Sequence, residues 1–174
     1  EIRKQIRRLQ YFLDGRVVGT TPDYAEFNML RMERGRFLTA ADNEKYQNYA
    51  VLASTTAKTL FPYEDPINQS IKLGSDYYTV VGVTRERESS AGVGGSLAAQ
   101  DFNKDVYIPL NTCRVRFGEK IINSRSGSME AEETQLSQIT LQVASIDQVQ
   151  PTVPIIEAAY AKWHPKKDVE KTVP

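Results

Sequence analysis

The stretch from Tyr49 to Thr84 constrains the fold more than any other part of the chain. It opens with Ala50-Val51-Leu52-Ala53, a short apolar run between polar flanks, which reads as a buried strand. Ser54 and Thr55 follow as helix N-cap candidates, because a hydroxyl there can accept from a backbone amide two or three residues on. Ala57, Leu60 and Phe61 fall at helical spacing. Pro62 stops the helix, since proline disfavours the α conformation in the residue before it. Ser70–Leu73 and Asp76–Val83 then flank Gly74-Ser75, a two-residue hairpin signal. The stretch therefore predicts a strand, one short helix and a hairpin.

Ahead of it, residues 5–20 read as a second hairpin, with Gln5–Leu13 and Arg16–Thr20 flanking Asp14-Gly15 as a type I′ turn pair. Ile2, Ile6, Leu9 and Leu13 also fit helical spacing, but the turn chemistry favours strands. Arg3, Lys4, Arg7 and Arg8 read as a solvated strand face, with a lipid-headgroup or partner patch as the competing reading. Thr21 caps a short helix with Pro22 in its first turn, and Tyr24, Phe27 and Met29 or Leu30 face inward. Leu30–Phe37 reads as a loop containing Gly35. Thr39-Ala40-Ala41-Asp42 reads as a capping turn, so capping and solvation account for Asp42, Glu44 and Asp23 without a carboxylate or metal site.

Beyond the central stretch, residues 85–104 are small and polar and read as a long mobile loop. Gly92, Gly94 and Gly95 lack the Gly-Lys-Ser/Thr ending of a nucleotide-binding loop and the spacing of a dinucleotide loop. Asp105–Pro109 reads as a short strand, Leu110–Phe117 as a helical turn carrying Cys113 inward, and residues 119–135 as a second polar connection. Gln138–Ala144 alternates Ile139, Leu141 and Val143 against polar residues, as a half-buried strand does. Ser145 or Asp147 caps a helix running to about Trp163. Its stripe of Val149, Val153, Ile156, Tyr160 and Trp163 predicts a buried face contributing about 8–15 kcal/mol before ordering entropy. Pro151 and Pro154 restrict where its regular turns begin. Pro165 ends the helix, and Asp168–Val173 reads as a returning strand.

The residues quoted so far carry a resemblance. "GTTPDY" at 19–24, "RGRFLTAAD" at 34–42, "AVLASTTAKTLF" at 50–61, "DPINQSIKL" at 65–73, "YYTVVGV" at 77–83, "DVYIPL" at 105–110 and the late strand-helix-strand come in the order seen in the MacB-type periplasmic core domain. The chain resembles that family over roughly residues 15–173, the extracytoplasmic part of permeases of the MacB, LolC/LolE and FtsX-like class. Two positions depart from it, with Ala53 and Asn68 where the family usually has glycine, and Asn68 can keep a left-handed turn.

The resemblance implies an α+β fold of two lobes over residues 1–174. A porter-like β-α-β lobe is built from both chain ends (about 1–30 and 136–174). A Sabre-like strand-helix-hairpin lobe (about 31–135) is inserted into it. It also implies an extracytoplasmic, periplasmic location in an integral inner-membrane protein, with no catalytic, cofactor or metal residues. The implied partners are a cytoplasmic ABC ATPase, fused or separate, a second permease copy or homologue, and a periplasmic adaptor or lipoprotein. ATP-driven motion of the membrane helices would move the domain for efflux, lipoprotein handling or cell-envelope signalling.

Bulk numbers fit this. Lys plus Arg and Asp plus Glu both total 22, so the net charge of zero argues against a nucleic-acid partner and gives no support for binding anionic membranes. No run approaches the roughly 18–20 apolar residues of a membrane span. The start at Glu1-Ile2-Arg3-Lys4, without an initiating Met or signal peptide, reads as a piece of something larger. Cys113 is alone, so cysteine usage says nothing of redox compartment.

Enzyme readings find little. One His and one Cys cannot close a structural zinc site, no nucleophile-elbow motif is present, and the acids show no paired pattern for glycoside hydrolysis. His164 reads as a helix C-terminal partner and Trp163 as core. The alternative class is a secreted α+β hydrolase or ligand-binding protein, whose best feature is the glycine-bearing loop Ala91–Ser96 beside Asp101. Loss of activity with a Ser96 or Asp101 substitution would mark that class.

Overall fold

The computed structural model describes residues 2–87, 102–118, 120–125, 128–133 and 139–163, with the backbone alone at 120–125, 128–133, 161 and 163. The chain divides into two compact units, Glu1–Gln138 and Ile139–Pro174.

In the first unit, six strands close on themselves. The strands are β1 (Ile2–Arg8), β2 (Tyr11–Thr20), β4 (Tyr49–Leu52), β5 (Ser70–Leu73), β6 (Asp76–Thr84) and β7 (Asp105–Pro109), with β3 (Met32–Gly35) attached outside the ring. Pairings run β6-β4-β7-β2-β1-β5, and β5 pairs back onto β6. Two ladders are parallel, β4–β6 and β2–β7, and the rest of the ring is antiparallel. β5 takes residues 76–79 of β6, and β3 takes residues 82–84 on the same edge.

Strand alternation sends one set of side chains into the ring and the other outward. Inside lie Ile6, Val17, Leu52, Ile71, Tyr78 and Ile108, each fully buried, together with Leu60 and Phe61 from α3 (Ser54–Leu60) and its end. Cys113 and Phe117 of α4 (Leu110–Phe117) pack against the same cluster, as the inward Cys113 expectation required. Outward from β2, β4 and β7 project Val18, Val51 and Tyr107, covered by Leu30 and Leu38 with Tyr24 and Phe37. Tyr107 sits at the centre of this outer layer, its ring centroid 5.6 Å from Tyr24 and 5.8 Å from Phe37.

The central strand-helix-hairpin is present, with Gly74 at φ +62 in the hairpin turn and Asn68 left-handed at φ 63. The Asp105–Pro109 strand and the capping turn at Thr39, which opens α2 (Ala40–Glu44), are also present. Other expectations are corrected. The first hairpin turns at Leu9-Gln10, with Leu9 at φ 50, and Asp14-Gly15 lies inside β2 opposite Gln5 and Lys4. The short helix is α1 (Tyr24–Phe27), one turn with Asp23 rather than Thr21 at its N-cap. Of its expected inward residues, Leu30 is buried, Tyr24 half-buried, and Phe27 and Met29 exposed. Residues 32–35 are β3 rather than loop, because the distal half of β6 offers a free edge. Ala53, not Ser54 or Thr55, is the N-cap of α3, at an extended φ of −74 that needs no glycine. The polar connection contains β8 (Lys120–Arg125) and β9 (Ser128–Glu133), paired antiparallel. The front hairpin, β1 and β2, supplies two of the six ring strands.

In the second unit, α5 (Val149–Trp163) follows a 3-10 turn at Ile146–Gln148, with Pro154 inside the helix. Residues 139–143 form no strand, and Ile139 and Leu141 are exposed. An alternating segment becomes a strand only beside a partner, and none pairs with it among the described residues. The stripe Val149, Val153, Ile156 and Tyr160 exists on α5 but is exposed, so its expected burial is not realised within this unit. Gln138, His164, Pro165 and the Asp168–Val173 strand lie outside the described residues.

Candidate functional site

Buried charge is the first place to look for chemistry, because ionisable groups taken out of water need a partner or a task. Among the described residues two carboxylates are buried, and each meets an arginine. Asp105 opens β7 and faces outward, where Arg16 lies directly across the β2–β7 ladder. Arg16 in turn lies over the Phe102 ring, 5.3 Å from its centroid, and Arg87 over the same ring at 4.9 Å. Asn103 completes the cluster, accepting from the Arg87 amide at 2.8 Å and donating to the Arg87 carbonyl at 2.7 Å. The cluster thus ties residue 87 to residues 102–105, the two flanks of the glycine-bearing segment. Gly92, Gly94, Gly95, Ser96 and Asp101 themselves lie outside the described residues. The Tyr107 hydroxyl donates to Asp105 Oδ2 at 3.3 Å. Burial first, then the Asp105 carboxylate, pushes the Tyr107 phenol far above its ordinary value, so it stays a neutral donor.

Asp42 is the second buried carboxylate. It closes a capping box with Thr39 and takes a forked bond from Arg36 at 2.6 and 3.1 Å. Its role is local structure, as the capping reading had it. Asp23 and Glu44 do not join it, Asp23 serving as the backbone N-cap of α1.

A shallow cleft of about 420 Å³ runs beside α3, walled by Arg34, Lys58, Tyr63, Glu64 and Asp65, with buried Ser54 at its floor. Ion pairs cross or border it: Arg34 with Asp65 at 3.3 Å, Lys58 with Glu86 at 2.7 Å, and Arg8 with Glu64. The Ser54 hydroxyl has no hydrogen-bond partner among the described residues. Among the described residues no group of three or more His, Cys, Asp or Glu could hold a metal ion. The Cys113 thiol is pushed up by burial, which keeps it protonated and unreactive.

The basic run of β1 splits by alternation. Arg8 packs over the Phe61 ring at 4.3 Å and Lys4 lies 6.0 Å from Phe117, while Arg3 and Arg7 stand exposed on the opposite face. Sequence reasoning could place that run on a strand. It carried no signal for the Arg16–Asp105 pair, whose members are 89 positions apart. What the described residues offer is a closed ring of six strands with exposed faces.

The MacB-like periplasmic core domain family matches residues 3–159. The macrolide export ATP-binding/permease protein MacB of Marinobacter nauticus is 30% identical over 135 residues, covering 77% of this chain and 18% of that protein. The protein of the same name from Chlorobaculum tepidum is 27% identical over 148 residues, covering 85% of this chain and 20% of that protein. The chain thus spans about a fifth of the length of these relatives. Two solved structures share the fold. The extracellular domain of the noncanonic ABC-type transporter YknZ from Gram-positive bacteria has a TM-score of 0.62 at 18% identity, over 87% of this chain and 65% of that one. The periplasmic region of MacB from Actinobacillus actinomycetemcomitans has a TM-score of 0.62 at 15% identity, over 92% of this chain and 64% of that one.

Proposed function

This chain belongs to the MacB-like periplasmic core domain family, and from that premise we propose that it is the extracytoplasmic domain of an ABC-transporter permease subunit. In this reading it stands on the periplasmic face of a bacterial inner membrane and couples ATP-driven motion of membrane helices to a periplasmic partner or substrate. The family match over residues 3–159 carries the reading. No helix among the described residues is long and apolar enough to cross a membrane, so the spans and the ATPase would come from the rest of the full-length protein or from a separate subunit. Two permease copies or homologues would form the moving pair. Efflux has the support of the relatives' names, which specify macrolide export, and a periplasmic adaptor would be its partner. Lipoprotein handling and envelope signalling are the other roles open to this domain.

The lobe plan enters as a proposal of the same kind. The porter-like lobe would comprise about residues 1–30 and 136–174, with about 31–135 inserted. Its boundary would then run through the ring at the β2–β7 and β1–β5 pairings rather than through a linker. Within the first unit that construction would transmit force as one piece, since ladder hydrogen bonds cross the boundary there.

Spin labels on exposed Tyr46→Cys or Tyr63→Cys in a Cys113→Ser background of the full-length permease test the reading. The expected result is labelling by a membrane-impermeant reagent from the periplasmic side and an inter-copy distance that changes on ATP binding. Labelling from the cytoplasmic side only, or distances indifferent to ATP, overturns it.

A further inference from the structure

Among the described residues of the first unit, the ring leaves one outer face bare. Leu30, Leu38 and their neighbours cover β2, β4 and β7, whereas the outward side chains of β1, β5 and the near ends of β2 and β6 stand open to solvent. Across that face the register aligns four residues in a single row. Phe12 on β2 pairs with Arg7 on β1, Arg7 with Lys72 on β5, and Lys72 with Tyr77 on β6. With strands about 4.8 Å apart, the row is about 14 Å long.

Its chemistry is symmetric, an aromatic ring at each end and two cations between. Phe12 and Tyr77 are 58% and 64% exposed, an unusual cost for two aromatics on one strand face. Arg7 lies 6.0 Å from the Phe12 ring and Lys72 5.8 Å from the Tyr77 ring, so each cation is held beside its aromatic neighbour. The Arg7 Nε donates to Gln5 at 2.6 Å, which fixes the guanidinium and leaves its outer fork directed away from Gln5. Arg7 and Lys72 form no ion pair among the described residues, whereas Arg8, Arg16, Arg34 and Arg36 each meet a carboxylate. The remaining charges of the face are Arg3, opposite Arg16, and Asp14, opposite Gln5.

We propose that the row Phe12–Arg7–Lys72–Tyr77 is a docking surface for an acidic protein segment that offers carboxylates between apolar side chains. An arginine fork matches a carboxylate in geometry as well as charge. Aromatics and arginine are the residue types that anchor protein interfaces. A membrane surface is the poorer match, because two unpaired cations on a chain of zero net charge give a weak pull toward anionic lipid. The inference stands on the sheet face alone and does not depend on the transporter reading.

Amide-resolved NMR titration of the 174-residue chain tests it. The probes are a blocked peptide of two aspartates between two phenylalanines, its asparagine counterpart, and vesicles of equal parts phosphatidylcholine and phosphatidylglycerol. The acidic peptide is expected to give saturable shifts confined to β1, β5 and the adjoining ends of β2 and β6. Affinity is expected to drop about tenfold or more with the asparagine peptide and in Arg7→Gln/Lys72→Gln, whose exposed or half-exposed positions leave the fold intact. Phe12→Ser/Tyr77→Ser is expected to weaken it independently. Shifts unaffected by these substitutions, no saturable shift at all, or a response to the vesicles in place of the peptide each overturn the proposal.

Discussion

Arg16 on β2 and Asp105 at the first position of β7 are joined by a forked ion pair: Nε donates to Oδ1 at 2.9 Å and Nη2 to Oδ2 at 2.6 Å. Their side chains are 13% and 2% exposed. They face each other directly across one of the two parallel ladders of the ring. Removing one member strands a buried charge, so Asp105→Ala is expected to cost about 3–5 kcal/mol. Replacing both with apolar residues of similar volume is expected to cost much less than the sum of the two single changes. Urea denaturation of the three variants at neutral pH measures this, and a loss below about 1 kcal/mol for the single change contradicts the assignment.

Gly15 gives a second prediction from close approach. A Cβ added there would lie 2.6 Å from the Ile6 Cδ1 and 2.6 Å from the Lys104 carbonyl oxygen. A methyl on Ile6 can swing away, but a backbone carbonyl beside the Arg16–Asp105 ladder cannot. Gly15→Ala is therefore expected to destabilise by about 1–3 kcal/mol. Asp14→Ala next to it, on the exposed side, is expected to stay within about 0.5 kcal/mol. Were Asp14-Gly15 a turn, the two substitutions would both be costly.

That contrast shows what the sequence could and could not disclose. Local signals whose meaning is local were legible: Gly74-Ser75 between alternating strands, Thr39 three residues before Asp42, and Asn68 at a left-handed position. Asp14-Gly15 misled because glycine serves both turns and close backbone contacts, and only the position of Lys104 decides between them. β3 was missed because its strand character comes from the free edge of β6, not from its own exposed Glu33 and Arg34. For β8 and β9 a signal did exist, the Ser126-Gly127 dipeptide between the paired Arg125 and Ser128. The ring closure and the Arg16–Asp105 pair depend on residues far apart in the chain, and no local pattern announces them.

Asp42 predicts behaviour at acid pH. Burial alone would raise its carboxyl, but the Arg36 fork and the bonds from the Thr39 amide and hydroxyl outweigh it and hold the carboxyl below its ordinary 3.8. A depressed folded value means the contribution is whole above about pH 4 and is lost as pH falls through the folded value, because the unfolded chain takes up the proton first. Asp42→Asn is expected to cost about 1–3 kcal/mol at neutral pH and to flatten the acid limb of the stability curve. Thermal melts from neutral pH down to about pH 2 follow both effects. An acid limb as steep as the parent's counts against the Arg36–Asp42 contact.

Tyr78 predicts the opposite limb. It is fully buried inside the ring, and its hydroxyl has no hydrogen-bond partner among the described residues. Burial first, and then the Asp76 carboxylate, pushes the phenol from 10.0 up to about 12. The neutral form is the one the fold holds, so its contribution is whole below pH 10, where neither state ionises. It is lost as pH climbs from 10 to about 12, because the unfolded chain gives up the proton first. Tyr78→Phe removes one proton's worth of that slope, about 1.4 kcal/mol per pH unit at most. Tyr107 is raised in the same direction and keeps part of the alkaline loss, so the comparison is variant against parent rather than against a flat line. At neutral pH, Tyr78→Phe deletes a buried hydroxyl without stranding a partner, and stability is expected to hold or rise by about 1 kcal/mol. Denaturant midpoints between about pH 8 and pH 12 measure both. A neutral-pH loss above about 2 kcal/mol would show that the Tyr78 hydroxyl has a partner holding the ring interior together.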